Sequence, residues 1–173
     1  QELANTIAGA LGRRCDQLVI DAMDASTPTA SDIAAGGTNL TMAKVIDAQV
    51  ALRDQGVPTS ELYAAIEANG LGGLLNDEKA TSGDYQAIKA LVAGEINTLC
   101  GFQFVVIESR DEGGLTEASN VVDSWFFQRP AIGLAIGIDM KTEINWIPER
   151  TAWLSNGMLK AGSVVRDEGG LVK

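Results

Sequence analysis

Eight apolar positions at the start of the chain constrain its fold more than any other feature. Leu3, Ile7, Leu11, Cys15, Leu18, Val19, Ala22 and Met23 recur at helical steps, which places them on one stripe of an α-helix. The stripe predicts a helix running to about Ala25, and at 1.5 Å per residue such a helix spans roughly 37 Å. That is long for a domain built from 173 residues. The element reads as a spine. No capping residue precedes it, and the chain starts at Gln1 rather than Met, so further residues are expected upstream.

Downstream the pattern breaks and changes period. Ser26-Thr27-Pro28-Thr29-Ala30-Ser31 ends the spine, and Ala35-Gly36-Gly37-Thr38 leads into a second helix, Asn39 to Arg53, capped by Thr38 or Asn39 and stopped by Gly56 and Pro58. Leu62 to Ile66 fits a strand or a helix, and Asn69 to Leu75 is glycine-interrupted. Tyr85, Ile88, Leu91, Val92 and Ile96 share one face of a helix predicted over Asp84–Asn97. Phe102 to Glu108 has the β-branched and aromatic content of a buried strand, and Val121 to Phe127 predicts another. Further strands are expected over Ala131–Ile138 and Lys141–Ile147, with small residues at Gly133 to Gly137 for close backbone approach. Pro148 lacks an amide donor and belongs at a strand edge, end or bulge. Ala152 to Val165 is a strand or a mixed segment, and Arg166 to Gly170 is a turn before Leu171-Val172. The class is α+β with the strands concentrated late.

Composition removes several functions. The chain has no histidine, so Ser-His-Asp and Cys-His nucleophiles, imidazole general bases and the commonest transition-metal ligand are all absent. A net charge of -10 opposes phosphate recognition by clustered Lys and Arg. No apolar run approaches the roughly 20 residues of a spanning helix, and the N-terminus lacks a signal-peptide layout, so a soluble, unexported protein is expected. Cys15 and Cys100 have neither metal-type nor CxxC spacing and read as two buried thiols.

The remaining motifs are weak as sites. Gly70-Leu71-Gly72-Gly73 resembles a phosphate loop only in composition: it lacks both the Lys-Ser/Thr end of a Walker loop and a GxGxxG frame, and reads as a turn or helix kink. The pairs Asp77/Glu78, Asp111/Glu112 and Asp167/Glu168 lack the alternating oxygen-ligand spacing of a calcium loop and read as solvated turn charge. Trp125, Phe126, Phe127, Trp146 and Trp153 concentrate aromatic surface late in the chain, for core or subunit contacts. No catalytic residue, cofactor-binding residue or metal ligand is identified.

Several segments together resemble one family. These are Ala10-Leu11-Gly12-Arg13-Arg14-Cys15-Asp16, Leu74-Leu75-Asn76-Asp77 with Ala80 to Tyr85, Ala90 to Asn97 leading into Gly101-Phe102, and Ala131 to Gly137 continuing through Ile147-Pro148-Glu149. In order and spacing they are similar to major capsid proteins of tailed phages and prophages. The resemblance implies the Hong Kong 97-like fold, with a long spine helix, a mixed α/β axial domain and peripheral-domain strands. It places residues 1–39 and 140–173 in the peripheral domain and 40–139 in the axial domain, with Lys141 to Ile147 in a strand running from one to the other. The arm and extended loop that precede the spine in that family are not in this sequence, and Glu67 to Gly73 is richer in glycine than in relatives.

The resemblance implies a structural, non-enzymatic subunit that forms pentameric and hexameric capsomers around double-stranded DNA without sequence-specific contact. Scaffold, protease and portal proteins are further implied partners, with assembly in the host bacterial cytoplasm and a final location in the virion. Arg13, Arg14, Trp146, Glu149 and Arg150 are the candidate subunit-interface residues, because charges beside a spine or a proline-fixed strand end are well placed for intersubunit pairs. An encapsulin-like nanocompartment shell and a small carboxylate-using α+β enzyme are the alternatives.

Overall fold

The computed structural model describes residues 2–30, 32–76, 98–109, 113–118 and 121–173. The predicted Asp84–Asn97 helix and the pairs Asp77/Glu78 and Asp111/Glu112 lie outside these residues. In chain order the elements are α1 (Glu2–Asp24), α2 (Met42–Asp54), β1 (Leu62–Ile66), α3 (Ala68–Asn76), β2 (Thr98–Leu99), β3 (Phe102–Val106), β4 (Glu117–Ala118), β5 (Val121–Val122), β6 (Trp125–Gln128), β7 (Ile132–Ile147), β8 (Ala152–Val165) and β9 (Leu171–Val172).

Five strands form a mixed sheet in the order β2-β3-β1-β6-β9, in which β1 and β3 run parallel and the other neighbours antiparallel. Because successive side chains of a strand point to opposite faces, central β1 feeds two cores. Ala64 and Ile66 join Val45, Ala48 and Leu52 of α2 in one cluster, which also takes Phe102 and Phe126. Those two rings meet edge to face at 5.1 Å, a preferred aromatic geometry. Ala65 faces the other way, into a cluster with Trp125 and Leu171 closed by Ile20 and Met23 from the end of α1. The sheet is thus covered by α2 on one side and by the C-terminal turns of α1 on the other.

Polar contacts fasten the long helix to this body. Gln17 Oε1 accepts a hydrogen bond from the Gly113 amide at 2.5 Å, and the Thr116 hydroxyl donates to Asp24. Between them Leu115 is buried in the second cluster. The N-terminal part of α1 extends beyond the body, where β7 and β8 form a separate two-stranded antiparallel ribbon.

The spine prediction stands within a residue of the observed C-terminus, and the late strands are present. Four expectations change. The glycine-rich stretch is no turn or kink but the regular helix α3. A Cβ on Gly73 would stand 2.7 Å from the Leu40 carbonyl oxygen and 2.8 Å from Asn39 Cβ, so glycine lets α3 approach the chain ahead of α2. The cap of α2 is Thr41, which accepts from the Lys44 amide at 3.4 Å, not Thr38 or Asn39. Their carbonyls, with that of Ala35, instead receive the Lys44 ammonium at 2.8, 3.1 and 2.7 Å. The segment Val121–Phe127 is two strands, because Val121–Val122 pairs with β4 whereas Trp125 onward pairs with β1. Finally, Cys15 and Cys100 are half-buried rather than buried, and neither is disulfide-bonded.

Candidate self-assembly surface

The β7–β8 ribbon is the dominant exposed feature. Strands of 16 and 14 residues reach roughly 45–50 Å. Their pairing runs from Ile132↔Val165 at the base to Ile147↔Ala152 at the tip, with register shifts between Ile136 and Ile138 and between Ile138 and Lys141. The strands predicted over Ala131–Ile138 and Lys141–Ile147 are therefore one bulged strand. Each shift inserts an unpaired residue, so the alternation is broken between Ile136 and Lys141 and resumes beyond it, which makes a continuous strand look like two. Pro148 falls at the end of β7 and opens the 3-10 turn Pro148–Arg150, after which Thr151 adopts a left-handed conformation with φ 47°.

The long helix lies along this ribbon, chiefly over β8. Burial alternates along β8, with Ser155, Gly157, Leu159, Ala161, Ser163 and Val165 half-covered and the residues between them exposed. The closest approach is at Gly157, where a Cβ would stand 2.5 Å from Ile7 Cγ2 and 3.3 Å from Leu11 Cδ1. Any residue with a Cβ there requires the Ile7 side chain, or the helix that carries it, to shift. Helix and ribbon form one arm, its base rooted beside Ile20 and Met23 through Ile132 and Val165.

The arm leaves much apolar surface bare. Among the described residues, ten of the fifteen exposed large hydrophobic side chains belong to β7 and β8. The largest of these are Trp146 and Trp153, cross-strand partners at the tip whose rings meet at 5.2 Å and 62°. They remain 44% and 68% exposed. Scattered apolar side chains are ordinary on a monomer, but concentration of so many on one hairpin marks a surface for contact.

The five candidate interface residues fall in two places. Trp146, Glu149 and Arg150 gather at the ribbon tip, all exposed, whereas Arg13 and Arg14 stand exposed on α1. Measured from the Gly157 contact, Arg13 is six helical residues one way and the tip pair four strand residues the other, a separation of roughly 20 Å. They make two sites rather than one. Sequence reasoning did not single out Ile136, Ile144, Leu154, Met158 and Val164, which the ribbon also leaves exposed. The signal for Ile136 was the apolar run from Ile132 to Ile138, which resembles a doubly buried strand, and for Ile144 the alternation from Lys141 to Ile147.

Among the described residues no group of three or more His, Cys, Asp and Glu is placed to hold a metal ion, and no helix is long and apolar enough to cross a membrane. A cleft of about 660 Å³ opens between the 32–40 loop, α3 and the Val121–Phe126 segment. Its two lysines are already engaged, Lys44 on three carbonyls and Lys173 with Asp123 at 2.7 Å. Asp167 serves its own turn by accepting from the Gly169 amide at 3.0 Å. Trp125 and Phe126 are core residues.

A family model described as phage capsid protein matches residues 1–173. No curated protein matches the chain. Three solved structures share its fold at low identity. A structure from Mycobacterium phage Che8 has a TM-score of 0.68 at 19% identity, covering 95% of this chain and 59% of its own. The capsid structure of cyanophage P-SCSP1u gives 0.56 at 17%, covering 99% and 62%. The capsid of an empty GTA particle, computed with C5 symmetry, gives 0.61 at 19%, covering 98% and 63%. The chain thus spans less than two thirds of the length of these structures. The fold they share with it is the Hong Kong 97-like capsid fold.

Proposed function

Because this chain belongs to the phage capsid protein family, we propose that its arm is the element through which identical subunits join into pentameric and hexameric capsomers and then into an icosahedral shell around double-stranded DNA. The role is structural. The observation that carries this reading is the run of exposed apolar side chains on β7 and β8, which has no use in an isolated subunit. Repeated, shape-complementary self-contacts give such a surface its function.

In this reading residues 1–39 and 140–173 form the peripheral domain and 40–139 the axial domain. Trp146, Glu149 and Arg150 meet a neighbour at the ribbon tip, and Arg13 and Arg14 meet a different part of a neighbour along the helix. The fivefold symmetry stated for the GTA particle supports pentamers. A net charge of -10 suits a wall that must not adhere to packaged DNA by neutralising phosphate. Scaffold, protease and portal proteins are the further partners that such assembly would recruit. The family match favours a phage shell over a nanocompartment.

Negative-stain electron microscopy of the complete open reading frame tests the proposal. Rings or shells are expected. Replacing Trp153 by Ser should weaken self-association by about tenfold or more, the usual scale for an interfacial tryptophan. A parent protein that remains a single subunit at every concentration would sink the reading.

A further inference from the structure

We infer that residues 35–40 form a strap latched by one charge: the Lys44 ammonium holds the strap to the body through three backbone carbonyls, and loss of that charge opens the cleft whose wall the strap makes. The latch belongs to the body and not to the arm. Lys44 is the third residue of α2, where the positive end of the helix dipole disfavours a cation. Helix formation therefore does not account for a lysine there. Its nitrogen instead donates to the carbonyls of Ala35, Thr38 and Asn39 at 2.7, 2.8 and 3.1 Å. An ammonium has three N–H donors, and all three are committed. Gly36 and Gly37, with φ 60° and 66°, take the left-handed conformation that curls the chain around this point.

Little else fastens the strap. Residues 34–39 are all exposed. Among the described residues, every hydrogen bond from 35–39 to the rest of the chain comes from Lys44, while the bonds of Thr38 to the Ala35 carbonyl are internal to the strap. The strap ends at Leu40, which is buried in the first cluster. There α3 presses on it: a Cβ on Gly70 would stand 3.6 Å from the Leu40 side chain, and Gly73 lies closer still to Asn39 and the Leu40 carbonyl. Ala35, Gly37, Thr38, Asn39 and Leu40 also line the cleft of about 660 Å³.

The chemistry of the latch follows from its acceptors. Converging carbonyls replace the hydration shell of a monovalent cation, so they select a positively charged occupant, and the chain supplies its own. Hydrogen bonds from an ionised donor are roughly twice as strong as neutral ones. A neutral amine keeps two donors and loses the charge, and it cannot hold three carbonyls together. The strap then lifts, bares Leu40 and widens the cleft over α3, while the sheet beneath stays folded.

Thermolysin, which cuts before large aliphatic residues, tests the latch at the Asn39–Leu40 bond of unassembled subunits from the complete open reading frame. Leu40 becomes a substrate only when the strap lifts. Lys44→Met keeps the stem and removes the charge, so cleavage there should rise about tenfold or more, with circular dichroism and cleavage elsewhere unchanged. In Lys44→Ala, propylammonium should slow the cleavage again, whereas 1-propanol, of matching size and no charge, should not. If neither variant folds, the parent decides alone. With its protons committed, Lys44 should acetylate at about a tenth of the rate of exposed Lys160 or slower, and cleavage at Asn39–Leu40 should concentrate in molecules acetylated at Lys44. Cleavage of Lys44→Met at the parent's rate, equal acceleration at sites throughout the body, propylammonium protecting Lys44→Ala no better than 1-propanol, or equal acetylation of Lys44 and Lys160 would overturn the inference.

Discussion

In β1 the residues Leu62, Ala64, Ala65 and Ile66 are all buried, whereas in β7 no residue from Ile132 to Ile147 is. Both strands are rich in aliphatic side chains. What separates them is the company they keep: β1 has a strand on each side and a helix layer above and below, while β7, among the described residues, pairs with β8 on one edge and with no strand on the other. The same residue type therefore does opposite work. In the body, aliphatic side chains are already removed from water and stabilise the subunit by about 1.5–3 kcal/mol each. On the arm that gain is largely unclaimed, and it becomes available when another surface covers the ribbon.

If that division is real, the largest single effect belongs to the body. Phe102 is fully buried, packed on Phe126 and held between β2 and β1. Phe102→Ala should cost about 3–5 kcal/mol, through lost transfer energy and the cavity left behind. Chemical denaturation followed by tryptophan fluorescence measures it, since Trp125 reports on the adjoining cluster. A loss below about 1 kcal/mol would mean that the body is not the reservoir of stability that its burial implies.

A smaller and more local effect is expected at Gly157. Valine there places its Cβ 2.5 Å from Ile7 Cγ2 and should loosen the packing of the helix on the strand, at about 1–3 kcal/mol. The arm can yield without the body, because only its base is rooted in a core cluster. Hydrogen exchange should therefore accelerate in the N-terminal half of α1 and in β7 and β8, with the amides of β1 and β3 keeping their protection. Equal acceleration in β1 would show that arm and body open as one cooperative unit.

The same contrast explains what was legible in the sequence. The spine was readable because its apolar stripe has one period over more than six turns, and partial cover by β8 preserves it. The two β7 segments were readable as strands but not as one, since two register shifts between Ile136 and Lys141 interrupt their alternation. Helix α3 was hidden because glycine disfavours helices locally; only the contact of Gly73 with Leu40 and Asn39 shows why it belongs there. The proposed interface was half legible. Trp146, Glu149 and Arg150 were marked by Pro148, but exposure of Ile144 or Val164 depends on what lies across the ribbon, and an apolar strand facing a future neighbour has the composition of one facing a core.

The smallest expected effect tests how dry the arm is before any neighbour arrives. Asp16 sits on α1, and burial raises its carboxyl above the ordinary value of 3.8. A raised folded-state value means that ionisation costs more in the folded chain than in the unfolded one. The contribution of Asp16 is thus most favourable below the ordinary carboxylate range, where it is protonated in both states. Stability then falls as pH rises from that range through the raised value, and the cost persists at neutrality. Asn cannot ionise, so Asp16→Asn should melt slightly higher than the parent at pH 7, and the difference should shrink toward zero below about pH 3. The residue keeps more than a third of its exposure, which holds the gain small. A variant that melts lower at pH 7 would show that the carboxylate is stabilised where it stands, and that this part of the arm is wetter, or better paired, than its burial implies.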